Sequence, residues 1–190
     1  MVINREVGTN LMQLRFDFNI YILMVNGFKE ITPDLTRSLI DKAERSPRLR
    51  SHHNFHDGPE CPVQRLCIGL SPGTYVRPHQ HPQRNKWETI LILSGEVCIL
   101  CFDDNGLVNG RSHLGNDPLL SKGIELPAGS WHTIFPVGGA ALVLEFKEGP
   151  FGEKAPVEFA SWSPEEGQPV VQSFLDWAAK AQIGDRFTPN

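Results

Sequence analysis

His79-Gln80-His81 sets two imidazoles two residues apart, and six residues separate the second from a carboxylate, Glu88. In an extended chain, residues i and i+2 share a face, so both rings can turn toward a single ion. Further along, Pro127-Ala128-Gly129-Ser130-Trp131-His132 places a third histidine just after a tight Pro/Gly turn. Three imidazoles and one carboxylate make a mixed nitrogen and oxygen site. Such a set suits one divalent transition metal, Fe, Mn, Zn, Ni or Co, and leaves room for water or substrate.

The elements that must carry these residues are short strands. From Pro62 to Lys147 apolar runs alternate with turn residues: Val63–Leu70, Tyr75–His81, Trp87–Leu93, Glu96–Phe102, Gly123–Leu126, His132–Pro136 and Ala141–Lys147. Ser71-Pro72-Gly73, Ser94-Gly95, Asp103-Asp104-Asn105-Gly106 and Gly138-Gly139 break them. No interval is long and periodic enough for a crossover helix, so the pattern predicts an all-β sandwich, jelly roll or closed barrel. Ahead of it, Thr32-Pro33-Asp34 reads as a helix start, with Leu35, Leu39, Ile40 and Ala43 on one side and Ser46-Pro47 as the stop. After Pro169, Val170, Phe174, Trp177, Ala178 and Ala181 recur at the spacing of a short amphipathic helix.

Gly73, His79, His81, Glu88 and Gly95 resemble the first motif of the cupin superfamily, and Pro127, Gly129 and His132 resemble the second. The loop from Pro82 to Trp87 is longer than the motif has, and Ser121 and Pro136 stand where it has Gly and Asn. The resemblance implies a cupin double-stranded β-helix, a jelly-roll barrel, with an N-terminal helix and a short C-terminal helix. It also implies His79, His81, Glu88 and His132 as the metal ligands. His52-His53-Asn54-Phe55-His56, Pro62-Val63-Gln64-Arg65-Leu66, Tyr75-Val76-Arg77-Pro78-His79, Lys86-Trp87-Glu88 and Glu158-Phe159-Ala160 are similar to the WbuC-type cupin fold metalloproteins. That likeness points to surface polysaccharide synthesis in bacteria, and it identifies no catalytic residue, because this barrel hosts many chemistries.

Around the ligands, Arg77 shares strand parity with His79 and His81. It is expected to face inward as a clamp for carboxylate or phosphate, or else to pair with an acid such as Glu145. His53 and His56 are candidates for the barrel mouth, with Gln64 and Lys86 as weaker pocket residues. Two readings follow. One is a metal-dependent isomerase, epimerase or oxygenase acting on a small, anionic or sugar-like metabolite; the other is a non-catalytic cupin that binds a metal or ligand to support a partner.

Composition narrows the remaining choices. The 190 residues carry a net charge of −4 without a basic cluster, which argues against nucleic acid as the partner. No apolar run approaches a membrane span, and the four cysteines suit the cytoplasm. Cys98 and Cys101 lie three apart in a strand-like run, on opposite faces, and so cannot share a metal. The chain is expected to divide into an extension (1–30), a helix and loop (31–61), the cupin barrel (62–150), and a C-terminal loop and helix (151–190), with a homodimer possible. Phe16, Phe18, Ile20 and Ile22 alternate with polar neighbours like an edge strand, while Met24 reads as an alternative start. A chain starting at Met24 should fold and keep its metal. Insoluble or metal-free protein from that start would make the extension part of the domain.

Overall fold

The computed structural model describes residues 27–83, 86–151 and 157–189. The alternating run Phe16–Ile22 lies outside them. The chain divides into Met1–Glu30 and Ile31–Asn190; of the first unit, Gly27–Glu30 is described, as exposed irregular chain. Among the described residues no helix is long and apolar enough to cross a membrane.

The second unit opens with helix α1 (Pro33–Arg45), whose start follows from its cap: Thr32 Oγ1 accepts from the Leu35 N–H at 3.1 Å, with proline at the first helical position. Ten strands follow, β1 (Arg50–Asn54), β2 (Val63–Leu70), β3 (His79–Gln80), β4 (Glu88–Ser94), β5 (Glu96–Phe102), β6 (Val108–Gly115), β7 (Gly123–Leu126), β8 (Trp131–Pro136), β9 (Ala141–Glu148) and β10 (Glu158–Phe159), and then α2 (Val171–Ala178). They form two antiparallel five-stranded sheets, ordered β1-β2-β9-β4-β7 and β10-β3-β8-β5-β6. This is the all-β, cupin-like sandwich with a helix toward each terminus.

Two differences from the sequence pattern have physical causes. The run Tyr75–His81 shortens to β3, because Pro78 has no N–H to give a ladder. The preceding carbonyls have other donors: Arg50 reaches Tyr75 O, and Thr133 Oγ1 reaches Val76 O. Strands β1 and β6 also form where no strand is expected. Both are polar, and β6 is an edge strand, so neither has a clean apolar alternation to announce it.

Period-2 alternation sorts the side chains of β5 into two cores. Val97 and Ile99, with Cys101 packed beside them, enter the space between the sheets, where they meet Leu66, Ile68, Ile90 and Val143. Cys98, Leu100 and Phe102 point outward to Phe174 and Ala178 of α2. The two thiols therefore face opposite sides, as strand parity requires. On the outer face of the other sheet, Leu39 of α1 packs with Phe55, Cys67 and Leu142. The helix comes so near that a Cβ on Gly69 would lie 2.7 Å from Leu39 O.

Register arranges the inner face of the first sheet into rows across the strands. One row reads Gln64–Lys147–Glu88–Leu126, and the next Asn54–Leu66–Glu145–Ile90–Ile124. Then come His52–Ile68–Val143–Ile92 and, last, Arg50–Leu70–Ala141. Ignoring the edge strand, polar residues gather at one end and aliphatic ones at the other. Gly95 sets the turn between β4 and β5: its φ is +75°, and a Cβ there would lie 2.5 Å from Ala140 O. Gly95→Ala should therefore cost about 2 kcal/mol or more and lower Tm by on the order of 5 °C. A wild-type melting curve would contradict the strain.

Candidate metal centre

The back sheet presents two of the histidines side by side. His79 of β3 is registered opposite His132 of β8, and their ring centroids lie 4.4 Å apart. The turn before β8 is closed by Ser130 N–H donating to Pro127 O, with Gly129 at φ +75°. The N–H of Gly129 also donates to His81 O at 2.9 Å, so the turn that aims His132 holds the chain at His81 as well. Each facing imidazole has its tautomer chosen by backbone. His79 Nδ1–H donates to Arg77 O at 3.0 Å, and His132 Nδ1–H donates to Ser130 O at 2.9 Å. A carbonyl only accepts, so in the neutral ring the lone pair sits on Nε2.

Glu88 opens β4 and faces these rings from the opposite sheet. Its Oε2 lies 3.4 Å from Nε2 of His132 and 3.4 Å from Nε2 of His81. Donor atoms of His79, Glu88 and His132 all fall within 4.8 Å of one another, near enough to hold one metal ion. Glu88 is 4% exposed and His132 3%. His81 Nε2 and Glu88 Oε2 are buried without a well-aligned hydrogen bond, the condition that a cation would relieve. Free nitrogen lone pairs, an ionised carboxylate and orphaned buried atoms fit a divalent metal.

Charge around the cluster is balanced locally. Burial works to raise the Glu88 carboxyl, but the close approach and charge of His132, then His81, then Lys147 hold it well below its usual range. Burial lowers His132, yet the close approach and charge of Glu88 win and raise it. His79 has no carboxylate so close; burial, then His132, pushes it down to about 3. A metal ion at the cluster would compete with a proton for His132 Nε2.

The other expected pocket residues are sorted differently. Arg77 is turned away by the C-terminal segment: it donates to Ala160 O at 3.1 Å and Ser163 Oγ at 3.3 Å, and stacks over Phe159 at 5.3 Å. The inward clamp expected of it required a strand running from Tyr75, and the strand begins only after Pro78. His53 is also displaced, because parity on β1 sends it outward with its ring edge on Phe55, 4.9 Å away. Its neighbour His52 takes the inner face and lines the cavity beside the cluster. His56 lies with Nδ1 3.0 Å from the Arg65 N–H that donates to it. Gln64 Nε2 donates to the carbonyls of Cys61 at 2.9 Å and Pro59 at 3.1 Å, and Lys86 Nζ to those of Glu148 at 3.1 Å and Pro150 at 3.0 Å. Both lysine and glutamine therefore fasten loops, and Gln64, like His56, also lines a second chamber beside the cavity.

The cavity, about 140 Å³, adds Lys147, not expected there, and Glu145, expected only as an alternative partner for Arg77. They stand two apart on β9, and Lys147 Nζ meets Glu145 Oε1 at 2.6 Å. Burial, followed by the charge of Glu88, pushes the Glu145 carboxyl up to about 7. Their signal in the sequence is a pair of charges continuing the parity of Ala141 and Val143. A larger cleft of about 380 Å³ between Arg48 and Val171 shares only Arg50 with this cavity, and both of its guanidiniums are engaged by Glu166.

Facing sheets with a buried histidine and glutamate cluster at one end define a cupin-like protein. Residues 31–114 match the profile of a domain of unknown function, DUF6016. No curated protein matches the chain. In fold it is similar to CapF, a capsular polysaccharide assembling protein from Staphylococcus aureus, with TM-score 0.50 and 21% identity over 60% of this chain and 32% of that one. The chain thus spans about a third of the length of CapF. An oxalate oxidase aligns with TM-score 0.46 and 16% identity, covering 72% of this chain and 68% of its own. A cupin superfamily protein from Desulfitobacterium hafniense aligns with TM-score 0.40 and 18% identity, covering 52% and 76%.

The raised His132 gives metal uptake a definite pH dependence. Affinity should fall as pH drops through the elevated His132 pKa, because metal and proton compete for Nε2. Glu88→Gln removes the cause of that elevation, so the midpoint should move to lower pH while affinity above neutrality falls by about tenfold to a hundredfold. Metal titrations at a series of pH values read both, and an unmoved midpoint would contradict the Glu88–His132 coupling.

Proposed function

We propose that the protein is a metal-dependent enzyme acting on a small polar metabolite, with one divalent transition metal held by His79, His81, Glu88 and His132. The observation that carries this reading is the convergence of backbone-locked imidazoles and a buried carboxylate on the polar end of a cavity. When bound, the ion would serve as a Lewis acid toward a substrate oxygen. The residues of the chain supply the rest. His79 is kept neutral by burial, and Glu145 can hold or release a proton near neutral pH. Leu66, Ile68, Val143 and Ile134 wall the cavity with hydrocarbon and limit the water within it. The resemblance to WbuC-type cupins directs the search for substrate toward sugars and nucleotide sugars of surface polysaccharide synthesis.

His79→Ala and His132→Ala should each abolish stoichiometric metal binding, since three remaining ligands hold an ion poorly when an imidazole is lost. The aliphatic core between the sheets does not include either ring, so the far-UV spectrum should keep its β signature. Elemental analysis of the two purified variants decides the matter; full occupancy in either would overturn the ligand assignment.

A further inference from the structure

A second chamber, about 270 Å³, adjoins the metal cavity, and the two share His52, Leu66 and Lys147 as common wall. His52, Asn54 and His56 line one side, and Lys147 and Phe151 line another. Among the described residues no carboxylate lines it. Glu145, the partner of Lys147, lies on the metal side of the shared wall. The Lys147 side chain is 19% exposed. Its ammonium also lies 5.5 Å from the centre of the Phe151 ring. Phe151 is fixed by its own N–H, which donates to Pro59 O at 2.7 Å.

Register places this cation in line with the candidate metal centre. Lys147 and Glu88 are direct partners across β9 and β4, one strand spacing apart, about 5 Å. His52 and Asn54 project from the edge strand β1 on the same inner face. Neither side chain has a hydrogen-bonding partner among the described residues, and the nearby cations Lys147 and Arg48 reinforce the effect of burial in lowering the His52 pKa. The shared wall thus sets Lys147 between the amide and imidazole groups of the chamber and the metal cluster.

Resting on the proposed metal-dependent function, we infer that this chamber binds the oxyanion of the substrate, a carboxylate or a phosphate. Lys147 holds it by a charge-assisted hydrogen bond while the rest of a short molecule reaches the metal cluster. The role expected of Arg77 passes to a lysine on β9. The ammonium is a compact charge with three rotatable donors that accepts an oxyanion without demanding a planar partner, and the Phe151 ring stands 5.5 Å from it. Lysine on the inner face thereby links the two compartments: Nζ meets Glu145 Oε1 at 2.6 Å on the metal side, and an arriving anion shares it.

The test uses the full chain, both with its metal and after chelation, titrated with inorganic phosphate and with malonate by calorimetry and thermal shift. Wild-type protein should bind at least one of the two, and whichever binds more tightly identifies the source of the oxyanion. Lys147→Met and His52→Ala should each weaken that binding, Lys147→Met by about tenfold or more, with metal content unchanged. Because Lys147→Met leaves Glu145 without its partner, His52→Ala at the open mouth keeps the test valid if the first variant folds poorly. Anion binding that survives chelation but is lost in these variants supports the chamber even if the metal reading fails. Binding that disappears with the metal and persists in both variants would place the anion on the ion and overturn the proposal, as would no binding of either anion.

Discussion

A carboxylate sealed between two sheets is the constraint around which the site is organised. Glu88 is almost wholly inaccessible, and an uncompensated charge in such a place would cost several kcal/mol. Three groups answer that cost: His132 and His81 approach the same oxygen from the facing side, and Lys147 stands beside it in the next strand. Glu145 complicates the balance by adding a second acid; burial first, and then the charge of Glu88, keep it easy to protonate, while Glu88 stays ionised. A divalent cation would complete the arrangement, since it offers the carboxylate more charge than a single imidazolium proton can.

Strand β9 distributes this chemistry. Lying between β2 and β4, it contributes a residue to every row of the inner face, and its parity changes from aliphatic to charged between Val143 and Glu145. The same step divides the interior into a hydrocarbon end that stabilises the sandwich and a polar end free to specialise. The back sheet keeps the same division, with Ile134 and Ile99 paired in one row and His79, His132 and Cys101 in another. Stability and function are therefore carried by different stretches of the same strands.

Much of this was legible in local sequence. The two motifs point to His79, Glu88 and His132, whose donor atoms the fold brings within 4.8 Å of one another, because their signals are short-range: alternation within a strand, and glycine at turns with positive φ. His81, the fourth ligand expected, lies outside that group, with Nε2 3.4 Å from Glu88 Oε2. The caps of α1 and the opposed faces of Cys98 and Cys101 are local in the same sense. What escaped depends on distant partners. Arg77 carries the parity of a ligand strand, but residues more than eighty positions later hold its guanidinium. Choosing His52 over His53 needed the register of β1, a strand whose polar residues give no alternation. Glu145 and Lys147 were visible as inward-parity charges, yet their nearness to Glu88 exists only once β9 pairs with β4.

X-ray absorption at the edge of a divalent transition metal loaded into the purified protein tests the central claim most directly, because it reports the donors without altering any of them. The account predicts a first shell of nitrogen and oxygen, with the outer scattering of several imidazole rings and no sulfur. A sulfur shell, or a spectrum without imidazole scattering, would mean that the ion sits elsewhere and that the histidines facing Glu88 serve another purpose.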